Sequence, residues 1–178
     1  MALTDHNDVF FGSTDDAWTF ALLNTPISAG PGILRAAGFS PREHLGRTVY
    51  LLAPGTPGTG ARTGDAIAQL LPHTLDIVEL AWTSHYRPAG ASAPDTRITV
   101  CGTDVTATTT TPRAHPLLLQ AGFTKRRDGT LQLADNMDED EVADRIVRTE
   151  AHLLAEGLQV RFDLGIATPD AFPPALCR

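Results

Sequence analysis

The amino-acid sequence predicts a mixed α/β (α+β) protein made from a tandem duplication of one small unit. Three observations carry that prediction. Ile33-Leu-Arg-Ala-Ala-Gly-Phe-Ser-Pro-Arg42 aligns without a gap on Leu117-Leu-Leu-Gln-Ala-Gly-Phe-Thr-Lys-Arg126. The elements read on either side follow the same order, β-β-α-β-α-β, in both halves. One Pro/Gly/Ala/Ser-rich stretch, residues 88–95, divides them. A unit of this size buries too little of its own surface, so two copies are expected to complete a core together as a pseudo-twofold, mostly antiparallel structure backed by helices.

Taken in order, Asp8-Val-Phe-Phe-Gly-Ser and Ala17-Trp-Thr-Phe-Ala-Leu-Leu flank Thr14-Asp-Asp and read as a hairpin. Gly32 to Ala37 reads as a short helix stopped by Gly38, which reaches the left-handed conformation that helix ends favour. Phe39 is then expected to fold back onto that helix. Ser40 to Gly46 reads as a polar loop and Arg47-Thr-Val-Tyr-Leu-Leu52 as a strand. Pro54 to Gly64 reads as a loop, Asp65 to Leu71 as a helix ending at Pro72, and Asp76 to Trp82 as a strand.

The second half repeats the pattern. Arg97 to Thr111 reads as a hairpin turning near Gly102, with Thr106, Thr108 and Thr110 on a wet face. Leu117 to Ala121 is a helix closed by Gly122, and a polar loop leads through Asp128-Gly129 into Thr130-Leu-Gln-Leu133. Asp138 to Glu156 is the strongest helix. Its first turn is acidic, as the helix dipole favours, and Val142, Ile146, Leu153 and Leu154 share one apolar face. Leu158 to Phe162 closes the unit. The expected organisation is thus residues 8–87, a linker at 88–95, residues 96–164, and a Pro-rich tail at 165–178 in one globular body.

Composition narrows the function. The chain is 42% hydrophobic and 20% charged, with a formal net charge of -7. That charge disfavours binding of nucleic acid or anionic membrane by the surface as a whole. Lys125 is the single lysine among 14 basic residues, a bias typical of GC-rich, actinobacterial genomes. No run approaches the ~20 apolar residues of a membrane span, and the first residues lack a secretory pattern, so a cytoplasmic location is expected. Cys101 and Cys177 form no zinc or redox motif, and Cys101 reads as a small buried hydrophobe in a strand.

The motifs that resemble catalytic or cofactor sites fail on inspection. Gly55 and Gly60 have the spacing of a phosphate-binding loop, but Ala61-Arg62 stand where Lys-Ser/Thr are needed. Asp135, Asp138 and Asp140 do not follow a calcium-loop pattern and read as a helix cap. No cofactor, metal ligand set or catalytic constellation is assigned, which points away from an enzyme.

What both halves share is a basic segment after each Ala-Gly-Phe. It comprises Arg42, His44 and Arg47 in the first half and Lys125, Arg126 and Arg127 in the second. Guanidinium forks suit oxyanions. A second cluster, Trp82, His85, Tyr86 and Arg87, combines rings and a cation that favour recognition. The expected function is a non-catalytic binding or regulatory module using the paired basic loops or the groove between repeats. The alternatives are a pseudo-dimer that binds nucleic acid, or another protein, through those loops, and a small-molecule enzyme using His85, Tyr86 and Arg87.

Overall fold

The computed structural model describes residues 3–80, 93–134 and 136–173. Among them are two five-stranded sheets and four α-helices. The chain divides into two compact units. The first is Met1–Ala81 with Ile166–Arg178, and the second is Trp82–Gly165.

In the first unit, β1 (Val9–Ser13) and β2 (Thr19–Leu23) form an antiparallel hairpin. Helix α1 (Gly30–Ala36) follows, then β3 (Ser40–His44), β4 (Arg47–Leu52), helix α2 (Thr59–Leu70) and β5 (Ile77–Glu79). The sheet order is β3-β4-β2-β1-β5, antiparallel except for the parallel β1–β5 pair. Residues 40–44, read from sequence as loop, are therefore an edge strand. Helix α2 also begins six residues earlier than expected, inside the glycine-rich segment.

The second unit contains β6 (Thr96–Cys101), β7 (Asp104–Thr109), helix α3 (Ala114–Gln120), β8 (Phe123–Lys125), β9 (Leu131–Leu133), helix α4 (Glu139–Ala155) and β10 (Val160–Asp163). Its sheet runs β8-β9-β7-β6-β10, with β6–β10 the parallel pair. Strand for strand, this is the order of the first sheet. Each unit is β-β-α-β-β-α-β, one strand richer than the sequence suggested.

Strand pleating sorts the side chains of the first unit. Val9, Phe11, Ala21, Tyr50 and Leu52 face α1 and α2, where Leu34, Phe39, Ala66 and Leu70 complete a core. Phe39 packs edge-on to Phe11 with ring centroids 6.0 Å apart. Its amide donates to Leu34 O (2.9 Å) and that of Gly38 to Arg35 O (2.9 Å), the paired bonds of a Schellman cap. The opposite, outer face is apolar as well. Phe10, Phe20, Leu22, Val49 and Leu51 are all buried there. Gly12 leaves room for the neighbouring ring, since a Cβ in its place would stand 2.8 Å from Phe20 Cζ.

The second sheet has one apolar face, formed by Ile98, Val100, Val105, Ala107, Leu131, Leu133, Val160 and Phe162. Its other face carries Arg97, Thr99, Thr106, Thr108, Gln132 and Arg161. Cys101 lies on that polar face and is exposed, contrary to the sequence reading, because its alternation is set by buried Val100. In α4, Val142, Ile146, Thr149 and Leu153 form the buried stripe, while Leu154 is turned outward. Asp138 and Glu141 form a capping box at its start. No helix among the described residues is long and apolar enough to cross a membrane.

Candidate functional site

The basic residues of the first unit are placed by a tight hairpin. Leu45 and Gly46 take φ values of 45° and 82°, as the two central residues of a type I′ turn must. This sets His44 directly opposite Arg47 and Arg42 opposite Val49. All three basic side chains thereby reach the outer face, alongside Leu22 and Phe20.

Each has an acceptor within the unit. Arg42 pairs with Asp170, both side chains being largely in solvent at 46% and 66% exposure. His44 Nε2 lies 3.1 Å from Phe172 O. Arg47 forms a salt bridge with Asp5 at 3.0 Å, with only 9% and 7% of the two side chains exposed. Two of these contacts hold a strap, residues 166–173, that returns from β10 to the first unit. The Asp15 and Asp16 amides of the β1–β2 turn donate to Ile166 O (2.8 Å) and Ala167 O (3.1 Å). The Thr168 hydroxyl caps a single 3-10 turn, Pro169–Ala171. Phe172 is then buried edge-on to Phe20, with centroids 4.7 Å apart at 86°.

Beside Arg47 opens a cleft of about 720 Å³, lined in part by Asp5, Asn24, Ile27, Arg47, Thr48 and Tyr50. Asn24 shapes one side. Its Nδ2 donates to Thr4 O (2.7 Å) and Asn7 O (2.8 Å), which holds the segment bearing Asp5 in place. Leu22, Pro26 and Pro31 add apolar wall. The 24–29 connection, with Pro26 at its centre, stays irregular until α1 begins at Gly30, and the cleft opens beside it.

The second basic segment is arranged differently. Lys125 ends β8, and Arg126 and Arg127 enter the turn to β9. The Arg126 amide donates to Thr130 O (2.8 Å), and its Nε to Gln132 Oε1 (2.5 Å). The Asp128 carboxylate accepts from the Thr130 hydroxyl (2.6 Å) and amide (2.9 Å), and these bonds hold it below its ordinary pKa. Lys125, Arg126 and Arg127 are exposed. Trp82, His85, Tyr86 and Arg87 lie outside the described residues.

The glycine-rich segment is self-satisfied. Thr56 and Thr59 hydroxyls donate to Ala53 O and Thr56 O, each at 2.7 Å. Arg62 donates to Pro57 O (3.1 Å) and Ala37 O (3.2 Å), so it closes the end of α1. In the second unit Arg145 Nη1 lies over Gly122, 3.9 Å from where a Cβ would stand. Among the described residues no group of three or more His, Cys, Asp or Glu side chains is placed to hold a metal ion.

Sequence reasoning found Arg42, His44 and Arg47 but not their partners Asp5, Asp170 and Phe172. Those partners come from segments more than 40 residues away, with no local pattern to mark them. No protein-family model, curated protein or solved structure matches the chain. Geometry therefore carries the functional reading.

Proposed function

We propose that the chain is a non-catalytic binding module of a bacterial cytoplasm, built by tandem duplication, whose ligand site is the cleft of the first unit. The carrying observation is that cleft of about 720 Å³, lined by the polar residues Asp5, Asn24, Arg47, Thr48 and Tyr50 and by Leu22, Ile27 and two prolines in about equal measure. Small-molecule sites are typically concave, roughly 300–1,000 Å³, mostly apolar, and fixed by a few such polar groups. The duplication is supported by the shared strand order and by Gly38 and Gly122, which close α1 and α3 at φ of 97° and 95°.

The test is a thermal-shift and ligand-observed NMR screen with small carboxylates, phosphates, aliphatics and aromatics. A binder is expected to perturb resonances of Leu22 to Pro31 and Gly46 to Tyr50. It is expected to lose its effect in Ser28→Trp, which fills the cleft from an exposed wall. Perturbations confined to other surfaces, or binding unaffected by Ser28→Trp, overturn the assignment. A nucleic-acid ligand would announce itself by affinity that falls steeply with salt and depends on Lys125, Arg126 and Arg127.

A further inference from the structure

Beyond the two Asp15 and Asp16 amide bonds at its start, the strap makes three contacts of different chemistry through Asp170 and Phe172. Asp170 meets Arg42 by charge, and Phe172 meets Phe20 ring to ring. The carbonyl of Phe172 meets His44 Nε2 by a hydrogen bond. The receiving surface is carried by paired strands. The β3–β4 register fixes Arg42 and His44 on the face that Phe20, Leu51 and Val49 make apolar. A charge, an aromatic anchor and a main-chain acceptor in linear order are how short peptide motifs are read. The segment itself is one 3-10 turn between extended residues, the conformation of a docked peptide rather than of a sheet or helix element. Its ion pair stays in solvent, so exchanging it requires little desolvation.

We propose that this socket of Phe20, Arg42 and His44 is a peptide-recognition site that residues 168–172 fill in cis, and that its partner in trans is a peptide with an acidic residue two positions before an aromatic one. The socket is separate from the cleft, and neither reading depends on the other. Tethering gives the strap a high effective concentration, so it excludes the partner until it is released or outcompeted.

A labelled peptide, Gly-Ile-Ala-Thr-Pro-Asp-Ala-Phe-Pro, tests the proposal by fluorescence anisotropy on the full chain. Phe172→Ala vacates the socket and is expected to bind the peptide at least about tenfold more tightly than the wild-type chain. Adding Arg42→Glu is expected to remove that gain, and a peptide with Arg in place of Asp to restore it. Equal binding by Phe172→Ala and wild type, or binding indifferent to Arg42→Glu, overturns the proposal. Should Phe172→Ala fail to fold, Asp170→Arg at an exposed position loosens the strap instead. It is expected to admit the peptide, and Asp170→Arg with Arg42→Glu to exclude it again; the absence of that pattern also overturns the proposal. So does a dimer of the wild-type chain formed without peptide, which would assign the socket to a second copy.

Discussion

Leu45 holds φ of 45° while 60% exposed, so it bears the strain of a left-handed backbone without a packing return. Leu45→Asn is expected to stabilise the chain by about 0.5–1 kcal/mol, read as a higher urea midpoint at unchanged slope. The paired glycines differ in a way that sequence does not show. At Gly38 a Cβ would come 2.6 Å from Arg62 Nη1, whereas at Gly122 the nearest atoms are 3.9 Å away. Both positions need positive φ, which costs an alanine about 1–2 kcal/mol. Gly38→Ala is expected to cost about 0.5–1.5 kcal/mol more than Gly122→Ala, because it also displaces Arg62 from Ala37 O. Asp95 gives a pH effect. The Thr111 hydroxyl and then the Gln159 amide hold its carboxyl below the ordinary range. A carboxyl depressed in the folded state stabilises it above the unfolded pKa of ~3.9 and loses that contribution as pH falls through the folded value. Between pH 7 and pH 3 the wild type is therefore expected to lose more stability than Asp95→Asn, measured by denaturant midpoints. Asp8 occupies the same place before β1, its carboxylate accepting from the Thr74 hydroxyl at 2.6 Å. That equivalence was invisible in sequence because the two threonines come from different connections.

Among the elements, α4 was the most legible, since its cap, charge pattern and apolar stripe all lie within its own residues. Strand β3 was the least. Ser-Pro-Arg-Glu-His has no apolar alternation, and its pairing with β4 is set by the turn rather than by burial. A proline and charges suit an edge strand, where they discourage pairing with other chains. Reading that segment as loop hid the fact that Arg42 and His44 share a face with Phe20. The strap was illegible for a related reason. Its order comes from contacts made across the fold, with Phe172 as its main anchor. Phe172→Ala is expected to cost about 3–4 kcal/mol. The loss should appear first as faster hydrogen exchange at the Asp15 and Asp16 amides, which donate to strap carbonyls.

At the scale of the whole molecule, the Ala-Gly-Phe match pointed to two similar units, and the two sheets do share one order. What sequence could not separate was their dress. The outer face is apolar in the first sheet and polar in the second, although the strands correspond one to one. The second unit is continuous in the chain and the first is not. Residues 82–165 alone are expected to give a dispersed NMR spectrum, whereas residues 1–81 alone, with Phe20 uncovered, are expected to be less stable and less soluble than the same residues in the full chain. The discontinuity also sets a timetable for biosynthesis. About 90 residues must leave the ribosome between β5 and Phe172, which at 5–20 residues per second takes roughly 5–20 s. Throughout that interval Phe20 and its neighbours wait on the nascent chain without their strap, so newly made protein is expected to engage holding chaperones that the finished protein does not.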